Sequence, residues 1–239
     1  MQVLNATRDA GFRYLWRWGS QGCLPKYLAA TRVLVFELDP EPTHRALKAP
    51  FERLATREAV KGPAGRIELE VPGTRTERHL SNLVSSHMRD QGVPAFKFMD
   101  EMEPQLAIAR DSVPFHHDMP LWMSAFGAWC LDGPARELHF PMMGLVVPFK
   151  PGTLVVFDPA QPHGLLRPGH TQFDESQCDD PQNISFLNVT MPKEGVFADL
   201  LGCAPAPEDE TGLLSTKLQY MPCPKTGHVT LTEVHALAA

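Results

Sequence analysis

Hydrophobic and polar positions along this chain change rhythm near residue 95. Before that point helical and strand-like spacings alternate. In ATRDAGFRYLWRW, Ala10, Phe12, Tyr14 and Leu15 recur at helical spacing and predict an opening helix. TRVLVFELD is a β-branched run stopped by Asp39-Pro40, which predicts a strand. EPTHRALKAPFERLATREAV predicts one helix or two short ones, broken at Pro50, because proline lacks the N–H that a helix interior uses. GRIELEV alternates from Ile67 to Val71 as a half-buried strand does. RTERHLSNLVSSHMRDQG sets Leu80, Leu83, Val84 and Met88 on one stripe and stops at Gly92, a helix with a C-terminal glycine.

From Pro94 the runs shorten. QLAIARDSVPFHHD, WMSAFGAWCL, RELHFPM, GLVVPF, TLVVFD, PHGLLRP and NISFLNVTM are separated by turn signals such as Asp132-Gly133-Pro134, Pro151-Gly152 and Pro168-Gly169. Short strands at this spacing predict a β-sandwich or barrel. The acidic connection between Gly169 and Gln182 reads as an exposed loop, and GHVTLTEVHAL in the tail as an added strand pair. The fold class is therefore α+β, with helices gathered in the N-terminal part.

Composition narrows the function classes without changing that picture. A chain of 239 residues with 43% hydrophobic and 21% charged positions can bury an ordinary globular core. A net charge of −6 gives no electrostatic reason to bind nucleic acid or an anionic membrane. The opening residues lack the basic-then-apolar order of a signal peptide, and no apolar window is long enough to span a bilayer. The five cysteines are scattered and never form C-x-x-C, which reads as reduced thiols in a cytoplasmic protein. Cys203, Cys223 and His228 match no usual zinc spacing.

Candidate chemistry centres on PFHHDMP. On a strand, His116 and Asp118 project to one face and His117 to the other. One imidazole and one carboxylate make two-thirds of a 2-His-1-carboxylate site, which leaves positions on Fe(II) open. VPFKPGTLVVFDPAQPHGLLRPG offers the third ligand in His163, at the start of a later strand, where an antiparallel barrel can bring it to the same mouth. His117, His139 and His170 read as ordinary polar positions.

With these motifs, residues Gln105 to Met191 resemble the double-stranded β-helix of the Fe(II)- and 2-oxoglutarate-dependent oxygenases. The resemblance implies a jelly-roll, cupin-like core over 96–192 in a single domain spanning 1–239. Residues 1–95 form a mixed helix and strand part before it, and 193–239 a C-terminal extension. It implies His116, Asp118 and His163 as catalytic iron ligands, with O₂ and 2-oxoglutarate as co-substrates. The implied reaction is hydroxylation of a C–H bond in a small molecule or a protein side chain, with release of succinate and CO₂.

The co-substrate contacts depart from the family's pattern. A basic residue commonly begins the strand after the distal histidine, and NISFLNVTM has none. Arg167, on the His163 face of its strand, and Arg136, on the face of Leu138 and Phe140, are substitutes for it or surface residues near strand ends. Asn188 and Gln105 are further candidate co-substrate contacts, although Ala107 stands where a tyrosine is frequent. Two other classes stay open: a cupin-like metal-dependent enzyme that does not use 2-oxoglutarate, and a non-catalytic β-barrel interaction module.

Overall fold

The computed structural model describes residues 1–7, 30–55, 66–70, 82–83, 86–93, 103–118, 124–178, 182–193, 195–205 and 218–233. The helix expected over Ala6–Trp18 lies almost wholly outside them, as does half of the one ending at Gly92. Of the latter, residues 82–83 and 86–90 are helical. Their turn closes on Gly92 at a φ of 88, the left-handed conformation a C-terminal glycine supplies.

Strands β2 (Arg32–Glu37) and β3 (Arg66–Glu70) form where the sequence places them. A short strand β1 (Gln2–Asn5), which the sequence does not announce, pairs antiparallel with β2. Helix α1 (Glu41–Ala55) runs through Pro50 instead of breaking there. The proline removes one backbone hydrogen bond, whereas Thr43 and Leu47, buried one turn apart, anchor the helix. Asp39 Oδ1 accepts the Glu41 N–H at 3.1 Å and satisfies one free donor of the first turn.

QLAIARDSVPFHHD folds as two strands, β4 (Glu103–Arg110) and β5 (Val113–His116). Asp111 separates them with a φ of 64, so the chain reverses inside what reads as one run. Strands β6 (Ser124–Asp132), β7 (Arg136–Phe140), β8 (Leu145–Phe149), β9 (Thr153–Phe157), β10 (His163–Leu166) and β11 (Asn183–Pro192) follow. A one-turn helix α2 (Val196–Leu200) precedes a strand pair, β12 (Leu218–Pro222) and β13 (Val229–Glu233), of which only β13 falls within GHVTLTEVHAL.

The larger sheet has the order β1-β2-β9-β6-β11-β4-β3, and the smaller β5-β10-β7-β8. From β4 to β11 the chain passes back and forth between two facing antiparallel sheets. That strand order is the double-stranded β-helix, with β1, β2 and β3 widening the larger sheet.

Side chains fill both faces of the larger sheet. Phe126, Phe140, Phe149, Phe157 and Phe186 belong to the layer between the sheets. Phe36, Leu106, Trp129, Leu154 and Leu187 pack on the other side, with Leu47 of α1. Burial on both faces explains why TLVVF reads as a continuous apolar run rather than an alternating one. Each such side chain contributes about 1.5–3 kcal/mol.

The Pro151-Gly152 turn launches β9 toward the ligand loop. The Thr153 N–H closes it on Lys150 O at 2.9 Å. Gly152 has a φ of 97, and a Cβ there would lie 2.9 Å from Leu38 O, so the position admits only glycine without rearrangement. Among the described residues, no helix is long and apolar enough to cross a membrane.

Candidate metal centre

His116 closes β5, His163 opens β10, and the two are direct cross-strand partners. Their rings lie 4.4 Å apart between centroids, tilted by 54°. Asp118 lies two residues beyond the end of β5, so the alternation expected to place it holds only up to His116. Its position comes instead from a backbone bond, the Asp118 N–H donating to Pro159 O at 2.8 Å. His163 Nε2 stands 3.6 Å from Asp118 Oδ2. One potential ligand atom from each of His116, Asp118 and His163 lies within 4.8 Å of the others.

Both histidines are oriented as ligands by their unused nitrogen. His116 Nδ1 donates to Pro114 O at 2.9 Å, and His163 Nδ1 to Gln161 O at 2.8 Å. A carbonyl only accepts, so each Nδ1 carries the proton, and in the neutral ring Nε2 keeps its lone pair. The His163 ring, 4% exposed, is boxed by Phe157, 4.8 Å away edge-on, and by Phe140 at 6.4 Å. Asp118 Oδ2 is buried with no hydrogen-bond donor. A buried carboxylate oxygen without a donor, facing two tied imidazoles, fits a divalent cation. His117 is half-buried and outside this set.

Beneath the two histidines lies a cavity of about 40 Å³. Among the described residues its lining apart from His116 and His163 is apolar and includes Phe126, Phe149, Phe157 and Phe186. Arg136 and Arg167 do not line it; both hold Asp111. Arg136 Nε donates to Asp111 O at 2.9 Å, one terminal nitrogen donates to Ala135 O at 2.8 Å, and the other pairs with Asp111 Oδ1. Arg167 Nε donates to Asp111 Oδ2 at 3.0 Å, and its terminal nitrogen pairs with the same oxygen. Asp111 is fully buried, Arg136 nearly so, and Arg167 about one-third exposed. Sequence reasoning finds the arginines but misses their partner. Its only signal is a polar Asp-Ser pair interrupting an apolar run.

Gln105 and Asn188 are cross-strand partners on β4 and β11. Asn188 is buried and shares strand parity with Phe186 of the inner layer. Neither brings a positive charge. Among the described residues, no lysine or arginine lines the cavity to pair with a dicarboxylate such as 2-oxoglutarate.

The remaining candidates are structural. His139 is buried, with Nε2 3.4 Å from Glu137 Oε2. Burial lowers its pKa, partly opposed by Glu137. His170 is exposed. Burial pushes the Cys130 and Cys203 thiols up to about 12, so neither is a thiolate near neutral pH. Cys203, Cys223 and His228 form no ligand cluster among the described residues.

No family model and no curated protein matches the sequence. Solved structures do. The chain is similar to a prolyl-4-hydroxylase from Pseudomonas putida at 16% identity, over 68% of this chain and 93% of that one, with a TM-score of 0.43. It is similar to a cupin 2 domain-containing protein from Halorhodospira halophila at 12% identity, over 71% and 90%, with a TM-score of 0.32. It is also similar to the polyketide cyclase RemF from Streptomyces resistomycificus at 22% identity, over 39% and 55%, with a TM-score of 0.26. The chain thus spans only about half the length of RemF. At such scores the fold rests on the strand order and the site on its own geometry. By both, the chain has a double-stranded β-helix fold that brings His116, Asp118 and His163 together as a set able to hold a metal ion.

Proposed function

We propose that this chain is a non-haem Fe(II) oxygenase in which His116, Asp118 and His163 hold the iron. One observation carries the reading: the donorless buried oxygen of Asp118 faces two imidazoles whose Nδ1 protons are committed to carbonyls. When bound, Fe(II) supplies the open positions at which dioxygen is activated. The chain's own part is orientation and exclusion. Pro114 O and Gln161 O fix the rings, Pro159 O fixes the Asp118 backbone, and the aromatic lining keeps polar groups and water from the metal's inner side.

The sequence resemblance adds 2-oxoglutarate as co-substrate and hydroxylation of a small molecule or a protein side chain as the reaction. A second reading, a metal-dependent enzyme of this fold that does not take 2-oxoglutarate, is favoured by one specific observation. Arg136 and Arg167 are both committed to Asp111, and the cavity is small and apolar. Anaerobic addition of 2-oxoglutarate to the Fe(II)-loaded protein separates the readings. A visible charge-transfer band, followed by succinate on admitting air, supports the hydroxylase. Bound iron with neither response supports the second reading. Failure to bind iron sinks both.

A further inference from the structure

The turn that joins β9 to β10, residues 158–162, touches two of the three candidate ligands through its backbone. Pro159 O accepts the Asp118 N–H, and Gln161 O accepts the His163 Nδ1–H. Any shift of this turn moves both ligands together. Two of the turn's own side chains fix it, and both are fully buried. Asp158 Oδ1 accepts the Ala160 N–H at 3.1 Å, and the Gln161 N–H donates to Asp158 O at 2.9 Å, which closes the turn on itself. Asp158 Oδ2 then accepts the Ala30 N–H at 3.0 Å and pairs with Lys193 Nζ at 3.0 Å. Gln161 Nε2 donates to Ala30 O at 2.9 Å. Both backbone groups of Ala30 are thus captured by one turn. Ala30 leads into β2 and Lys193 follows β11, so the ligand turn is tied to segments before and after the jelly roll.

We infer that Asp158 and Gln161 are positioning residues of the metal centre, and that Lys193 and the Ala30 backbone are the fixed points they pull on. The hydrogen bonds their side chains make run to Ala30, Ala160 and Lys193. They act by holding Pro159 O and Gln161 O where Asp118 and His163 need them. The physical case is cost: Asp158, Lys193 and Gln161 are all withdrawn from water, and the contacts named above offset part of that cost. Segments outside the core therefore help to set ligand geometry. The inference rests on the metal-site reading above.

The test uses Co(II) as the probe, read by affinity and by its visible spectrum, which reports coordination geometry. Gln161→Leu and Asp158→Asn are each expected to weaken Co(II) binding by about 10–100-fold and to alter the spectrum, at a temperature where circular dichroism shows them folded. Leu47→Ala, on α1, is the control. It lowers Tm while leaving affinity and spectrum unchanged. Folded Gln161→Leu and Asp158→Asn proteins with the unaltered protein's affinity and spectrum overturn the inference. Should Asp158→Asn not fold, Gln161→Leu, which keeps the ion pair, decides alone. No Co(II) binding by the unaltered protein overturns the metal-site reading, and the inference with it.

Discussion

A single residue, Asp111, holds both candidate arginines. Its buried carboxylate pairs with the guanidinium groups of Arg136, on β7, and Arg167, just past the end of β10. Asp111→Ala leaves Arg136 buried without its counter-charge, and urea denaturation is expected to show a loss of about 3–5 kcal/mol. A loss below about 1 kcal/mol would mean that the pair is not formed in solution. Gly164 matters for a different reason. A Cβ there would meet the Phe115 ring at 2.8–3.1 Å, one residue after a candidate ligand. Gly164→Val is expected to cost about 1–3 kcal/mol by overpacking and to weaken metal binding more than a remote destabilising change does. At this scale the three candidate ligands that the fold brings together were legible because His-x-Asp and Pro-His carry local signatures. The arginines' true partner was not, since a lone aspartate inside an apolar run says nothing about which distant cations reach it.

At the scale of elements, the smaller sheet presents its own test. His139 lies on β7, buried, with Phe115 edge-on at a centroid distance of 6.3 Å and Glu137 on its own strand. Burial holds its folded pKa below the ordinary value of about 6.5, so the unfolded chain binds more protons here than the folded one. Stability from this site is complete above about pH 6.5 and falls as pH drops toward the folded value. Melting temperatures across this window should fall with pH, and His139→Phe should flatten that fall. A slope unchanged in His139→Phe would count against it. Element boundaries were legible where apolar runs met Pro-Gly turns, as at β9. They failed at Pro50, where packing of Thr43 and Leu47 outweighs one missing backbone bond, and at Asp111, where a left-handed residue splits one run into β4 and β5.

For the whole molecule, the strand order makes the candidate metal centre a junction rather than an appendage. His116 and His163 pair across the smaller sheet, and the turn that orients His163 is tied to Ala30 and Lys193 at the ends of larger-sheet strands. A cation that binds the folded chain alone must therefore raise its stability, by about 2.7 kcal/mol at a hundredfold excess over Kd. The barrel was legible from many short runs at even spacing. The way β4 to β11 pass between sheets was not, because pairing partners are set by long-range contacts that periodicity does not encode. Anaerobic calorimetric titration with Fe(II), comparing the unaltered protein with Asp118→Ala, tests the central claim most directly. One iron per unaltered chain, with binding abolished in a folded Asp118→Ala protein, is the expected result; no stoichiometric iron, or undiminished binding in the variant, contradicts it.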